Sequence, residues 1–494
     1  MTFTDFTIDE VNEAMQLSWN AFSEYRTVPL FTRASFLRAI ATELEKCGDI
    51  LIHTAMQETH LPEARLRNER SRTLYQLNSY ADACEKGAWM DISIDTGVPD
   101  KNPPKPDLRK MMIPLGPVVV FGASNFPLAY STAGGDTACA LAAGCPVVVK
   151  AHPAHPQTSH IVADAIFNAA AYLNLPQGVF QHVYGAGFET GKALVMHPYT
   201  KAVGFTGSYS GGKQLFDWAN QRKEPIPVFA EMGSVNPVYL LPGMLQTAAS
   251  TVASMYASSI TLGVGQFCTN PGLLIGIESE ELQQFMHDLG KLIQATAPAP
   301  MLHTGIVKAY KDKKGAALLQ EGVHLVAESK AEVQTLDGLP TVATVDGATF
   351  LRNPLLHQEV FGPYSLVVRC SNADELMQVA ARMEGQLTTT IMATAGDLKQ
   401  FSHLAESLKY SCGRLILNGV PTGVEVCLSM HHGGPFPATT DARFTSVGAD
   451  GIKRFARPVC FQNWSNELLP HELKNENPLR IYRRVNEQWT NQPL

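Results

Sequence analysis

The chain has 494 residues, enough for two or three domains, of which 45% are hydrophobic and 17% charged. A formal net charge of -7, with no basic block, favours solubility and argues against a broad electrostatic grip on nucleic acid. Nine cysteines without a C-x-x-C pair argue against a zinc ribbon or thioredoxin motif, and free thiols suit a reducing cytoplasm.

The opening "MTFTDFTIDEVNEAM" is acidic and helix-like, unlike a secretory signal. Thr7-Ile8-Asp9-Glu10 reads as a capping box, and Ile8, Val11, Met15 and Phe22 then recur at helical spacing. Further helical stretches are expected over residues 31–58 and 62–86. Residues 87–110 change character: "WMDISIDTG" alternates like a strand, and "DKNPPKPDLRK" is rich in proline and charge. An extended excursion that leaves its own domain is expected there. Residues 111–149 are nearly uncharged, but prolines, glycines and Asp136 break the run. Buried strands joined by turns fit it better than a membrane span.

From Ile113 onward short β-rich runs alternate with helical stretches. The runs are "VVVFG", "CPVVVKA", "VFQHVYG", "KAVGFTG" and "IPVFAE"; the helical stretches fall near 131–143, 159–173, 190–197 and 211–221. Apolar strands alternating with helices predict a parallel sheet covered on both faces, which binds ligands at the carboxyl ends of its strands. A second alternation follows, through "GLLIGI", "SLVVR", "LTTTIMA" and "GRLILNG". The fold class is therefore α/β, with two lobes and an excursion.

Four elements at strand ends, and one cysteine, carry chemical meaning. Asn125 in "FGASNFP" can donate to an oxygen that gains negative charge, or can be a turn asparagine. Lys150 ends "VVVK" and can reach a phosphate or ribose, or leave the sheet for solvent. "GFTGSYSGG" runs strand, glycine turn, helix N-terminus, which is an anion site at Gly207 and Ser208, though it lacks the G-x-G-x-x-G and Walker spacings. Glu231 terminates "VFAE", where a desolvated carboxylate suits a general base and a backbone-bound one does not. Cys268 in "GVGQFCTNPG" sits among small, polar and turn-forming residues, where local sequence leaves a working thiol and a structural one equally open. His152 and His155 read as loop residues, and no metal site is expected.

In this order, "FGASNFP", "KAHPAHP", "GFTGS", "EMGSVNP", "GQFCTNPG", "HQEVFGP" and "GRLILNGVPTGVEV" resemble the aldehyde dehydrogenase superfamily over nearly the full chain. "FGASNFPLAYSTAGGDTACALAAGCPVVVKAHPAHP" and "HGGPFPATTDARFTSVG" are similar to a bacterial branch. That branch comprises the α-ketoglutaric semialdehyde (2,5-dioxovalerate) dehydrogenases and the NADP-dependent fatty aldehyde dehydrogenase. The resemblance implies a Rossmann-like cofactor domain over 1–86 and 111–232, a catalytic α/β domain over 233–452, and an oligomerisation arm from 87–110 and 453–494. It implies that Cys268 attacks the aldehyde to give a thiohemiacetal and then a thioester. Asn125 and the Cys268 N–H would hold the oxyanion, and Glu231 would activate the hydrolytic water. Lys150 would contact the adenosine ribose and Gly207 and Ser208 the pyrophosphate. Glu359 would bind the nicotinamide ribose, with Phe361 flanking the ring.

The resemblance also implies a cofactor preference: many NAD-specific relatives carry a glutamate where this chain has Pro153, which points to NADP, with NAD possible, while Tyr209 in place of a basic residue points the other way. The expected reaction converts 2,5-dioxovalerate to 2-oxoglutarate, with Arg443 as a candidate for the substrate carboxylate. The alternatives are a medium- or long-chain fatty aldehyde substrate and acylation of coenzyme A, against which Glu231 argues. A cysteine hydrolase pairing Cys268 with a histidine such as His303, and a non-catalytic scaffold, are further readings. A homodimer or homotetramer in the cytoplasm is expected, with no nucleic-acid or membrane partner.

Overall fold

The computed structural model describes residues 3–494. Four helices open the chain. The first, Ile8–Tyr25, starts at the expected capping box: Thr7 Oγ1 accepts from the Glu10 N–H at 3.3 Å while the Glu10 carboxylate accepts from the Thr7 N–H at 2.7 Å. The stretch 31–58 is two helices, Leu30–Lys46 and Gly48–Thr59, rather than one. They part at Gly48, whose φ of 55° turns the axis. The fourth helix, Glu63–Lys86, ends at Gly87 in the left-handed conformation.

The first sheet has five strands, all parallel, in the spatial order Phe180–Val183, Val147–Lys150, Val118–Phe121, Ala202–Thr206, Val228–Glu231. Uninterrupted valine at Val118–Val120 and Val147–Val149 is what a strand covered on both faces requires, and all six side chains are buried. The chain runs outward from Val118–Phe121 in one direction and then returns to its other side with Ala202–Thr206. The strand order therefore reverses between these two neighbours, and a crevice opens past their carboxyl ends.

The second sheet has seven strands in the order His324–Glu328, Thr341–Asp346, Tyr364–Cys370, Leu273–Ile277, Val238–Leu240, Gln386–Met392, Cys412–Leu417. Only the first pair is antiparallel. A third sheet joins distant parts of the chain, in the order Ala456–Gln462, Leu108–Pro114, Ser93–Asp95, Arg483–Val485, Gln488–Thr490. Its pairings are antiparallel except between Ser93–Asp95 and Arg483–Val485. Among the described residues no helix is long and apolar enough to cross a membrane.

Candidate active site

Cys268 follows a short turn of left-handed residues, Gly263, Val264 and Gly265. Gly265 is required there twice over. Its φ is 63°, and a Cβ would lie 2.3 Å from the carbonyl of Gly362, so the turn of "GVGQFC" presses on the backbone of "HQEVFGP". The loop beyond is held by Asn236, whose amide donates to the carbonyl oxygens of Cys268 (2.9 Å) and Asn270 (3.0 Å). Asn236 is fixed in turn by the hydroxyls of Ser234 and Thr388. Thus "EMGSVNP" places the carboxylate of Glu231 at one end and tethers the sulfur from the other.

Glu231 ends the last strand of the first sheet and is 4% exposed. Its Oε1 lies 3.0 Å from His432 Nε2, and its Oε2 accepts from Ser446 Oγ at 2.5 Å. His432 Nε2 is also 3.6 Å from Cys268 Sγ. This imidazole is fully buried, its backbone N–H donates to Thr445 Oγ1, and its Nδ1 has no partner. Burial, then the charge and hydrogen bond of Glu231 and the charge of Glu359, push the Cys268 thiol well above its ordinary range, against the opposing charge of Arg414. Burial works to raise the Glu231 carboxyl too, but the positive charge available at His432 and hydrogen bonds from His432, Ser446 and Cys268 hold it below its usual value. The resting pair is therefore a thiol and a carboxylate with an imidazole between them. Glu231, Cys268 and His432 present oxygen, sulfur and nitrogen within 4.8 Å of one another, a donor set that could also hold a divalent ion.

Asn125 follows the strand Val118–Phe121, and its amide donates to Gln266 O at 3.1 Å, two residues before the cysteine. Asn125, Glu231 and Cys268 line one cleft of about 1200 Å³, part of it open to solvent. The cleft extends over Gly207, Ser208 and Gly211 on the first lobe and over Lys313, Glu359 and Phe361 on the second.

At the first lobe, Ser208 caps the helix Tyr209–Gln221, accepting from the Gly211 N–H at 3.2 Å. A Cβ on Gly207 would lie 2.6 Å from the Phe205 ring, and one on Gly212 would lie 2.6 Å from Met232. The glycines let the backbone approach the cleft and the helix approach the sheet, so the N–H groups of the first turn face an anion arriving there. These features fit a dinucleotide. Across the cleft, burial pushes the Glu359 carboxyl up to about 7, against the charge of Lys313 and a backbone hydrogen bond from Ser234. Lys313 Nζ donates to the Glu359 carbonyl at 3.0 Å.

Lys150 ends its strand as expected, paired in register with Phe121 at the carboxyl end of the first sheet; burial lowers its ammonium, with Asp5 opposing. His155 is buried and bonds Ala123 O at 2.9 Å. The imidazole beside the sulfur is His432, and His303 instead lines the cleft near His152, with 6.2 Å between ring centroids. Arg443 does not join the site. Its side chain is 81% exposed and paired with Asp441 at 2.6 Å, because the loop turns it outward. Two other arginines lie nearer the sulfur's surroundings. Arg72, on the helix Glu63–Lys86, bonds the Tyr130 hydroxyl, and the charge of Arg414 acts on both Cys268 and Tyr130. His432 and Arg414 fall within the motifs "HGGPFPATTDARFTSVG" and "GRLILNGVPTGVEV", though nothing local marks what they touch, and Lys313 and Arg72 carry no local sequence signal.

A profile of the aldehyde dehydrogenase family matches residues 1–438. The chain is 48% identical over 475 residues to alpha-ketoglutaric semialdehyde dehydrogenase 2 of Azospirillum brasilense, covering 96% of this chain and 90% of that one. It is 45% identical over 486 residues to the alpha-ketoglutaric semialdehyde dehydrogenase of Acinetobacter baylyi, covering 98% and 92%. The fold is shared with betaine aldehyde dehydrogenase from Staphylococcus aureus, solved in complex with NAD+, at a TM-score of 0.79 and 20% identity, covering 94% of this chain and 89% of that one. A thiol and a carboxylate meeting at the mouth of a dinucleotide crevice, on a chain with such relatives along nearly its whole length, belong together: this protein is a member of the aldehyde dehydrogenase family.

Proposed function

We propose that the protein oxidises 2,5-dioxovalerate to 2-oxoglutarate, with NADP+ as the preferred acceptor. The observation that carries the reaction is Cys268 Sγ on the wall of the cleft that also holds Asn125, Glu231 and the Gly207–Ser208 turn. The substrate reading is supported by the two relatives at 48% and 45% identity. The cofactor reading is supported by Pro153, where no carboxylate stands to repel a 2′-phosphate.

NADP+ would be held by Gly207 and Ser208 at its pyrophosphate, by Lys150 at the adenosine ribose, and by Glu359 and Phe361 at its nicotinamide end, and it supplies the hydride acceptor. Cys268 bonds to the aldehyde carbon as its proton passes to the Glu231 carboxylate, which the thiol already hydrogen-bonds, and from there to solvent before the second step. The Asn125 amide and the Cys268 N–H hold the oxygen that becomes negative. Glu231 then takes a proton from water, whose oxygen attacks the thioester and releases the acid and the thiol. His432 and Ser446 orient the carboxylate for that step.

Replacing Cys268 with Ala removes the nucleophile, and turnover is expected to fall by at least about 1000-fold. Glu231→Gln is expected to give a burst of NADPH followed by slow hydrolysis, and an unchanged steady rate would clear Glu231 of the base role. A kcat/KM comparison of 2,5-dioxovalerate with decanal tests the substrate. Near-equal values, or values dominated by decanal, overturn that assignment.

The protein is proposed to work as a homodimer or tetramer. Two sheet edges support this: the strand Cys412–Leu417 ends its sheet with Leu415 and Leu417 exposed, and Ala456–Gln462 ends the third sheet. Nine unpaired cysteines suit a reducing compartment such as the cytoplasm.

A further inference from the structure

A second group of side chains converges on Cys268 and is not part of the cleft lining. The helix Glu63–Lys86 contributes Arg65 and Arg72, the segment after Asn125 contributes Phe126 and Tyr130, and the strand Cys412–Leu417 contributes Arg414. Arg65 is already satisfied. Its guanidinium lies 4.3 Å from the centroid of Phe126 and 5.4 Å from that of Phe267, and it pairs with Glu69 at 2.9 Å.

Arg72 and Arg414 are different: among the described residues neither has a carboxylate partner. Both are half-buried and both donate to carbonyls of one loop. Arg72 reaches Val424 O, and Arg414 reaches Pro421 O at 2.6 Å and Gly423 O at 2.9 Å. The carboxylate nearest in sequence, Glu425, bonds the Val426 N–H instead. A guanidinium has five N–H donors. Arg72 spends three, on Gln76, Val424 and Tyr130, and Arg414 spends two. Arg414 Nε is buried with no acceptor. Tyr130 takes a bond from Arg72 at 3.3 Å, which leaves its own O–H free to donate. Two cations without a carboxylate partner and with spare donors, tied to one loop and connected through Tyr130 and Phe126 to Phe267, the residue before Cys268, describe a site that is completed by an anion.

We propose that Arg72 and Arg414 together seat the carboxylate of a short aldehyde acid while its aldehyde carbon lies at Cys268. Tyr130 donates to the 2-oxo oxygen next to that carboxylate. This assignment rests on the substrate reading above and places specificity on residues distinct from Arg443.

The test compares kcat/KM for 2,5-dioxovalerate, succinic semialdehyde and pentanal in the wild type and in Arg72→Met, Arg414→Met and Arg414→Lys. In each methionine variant the preference for 2,5-dioxovalerate over pentanal is expected to fall roughly 10- to 100-fold, with most of the loss in KM, as expected for lost charge-assisted hydrogen bonds. Arg414→Lys should recover part of it. A wild-type preference that survives both methionine changes overturns the seat and leaves the substrate reading standing. A wild type that favours succinic semialdehyde, with the same dependence on the arginines, overturns the substrate reading and supports the seat. A wild type with no preference for either acid overturns the seat. Should the variants fail to fold, phenylglyoxal labelling of the wild type decides: 2-oxoglutarate should protect Arg72 and Arg414, and equal labelling with and without it overturns the proposal.

Discussion

Cys268 is a thiol whose surroundings oppose its ionisation. Glu231 and Glu359 both repel a thiolate, and Arg414 attracts one. In the enzyme without dinucleotide, alkylation by iodoacetamide at pH 7 should therefore be slower than that of a free cysteine and should climb only in the alkaline range. In the proposed mechanism deprotonation is coupled to attack through the Glu231 carboxylate, which His432 holds in position. His432→Ala is expected to lower kcat on the order of 100-fold, read in a pH–rate profile against the wild type. The Glu359 carboxyl, held near 7, gives a second pH signature. Below that value it is protonated and above it ionised, so its capacity to accept ribose hydroxyls rises with pH. NADP+ affinity, measured by fluorescence titration, should strengthen between pH 6 and 8, and Glu359→Gln should flatten that change. At this scale the sequence was uneven. Asn125, Glu231 and Cys268 were legible because each ends or follows an unmistakable strand or turn. His432 was not, because it meets Glu231 across 201 positions of chain, a closure that no window of sequence reveals. Arg443 carried the right charge in a suggestive motif, but its direction depends on a loop.

Among the elements, the runs of valine and the glycine turns were the readable part. A strand buried on both faces has to be apolar throughout, and few other contexts tolerate Val118–Val120 or Val147–Val149. What could not be read were short or interrupted pieces. Val238–Leu240 has three residues, too few to show any period, and the break at Gly48 is one backbone angle inside an otherwise helical pattern. The turn before Cys268 is one element with little room for change. Gly265→Ala puts a methyl group 2.3 Å from the Gly362 carbonyl in a left-handed conformation. It is expected to cost about 1–3 kcal/mol by chemical denaturation. Activity should be lost as well, because Cys268 is only three residues away.

For the whole molecule, the third sheet gathers residues from 93–114 and 456–490 into one layer and leaves Trp464, Tyr482 and Trp489 largely exposed. Together with the free edge at Cys412–Leu417, this surface suits a second copy of the chain. Light scattering of the purified protein should give a mass that is a multiple of 53.8 kDa, and a monomer at micromolar concentration would remove the assembly proposed above.

Cys268 is anchored beside one sheet and Glu231 ends another, so the mechanism proposed above needs residues of both. A slide of about an ångström between the lobes would alter the gap spanned by His432 while leaving both anchors undisturbed. The 3.6 Å separation between His432 and Cys268 therefore depends on how the two sheets pack against each other.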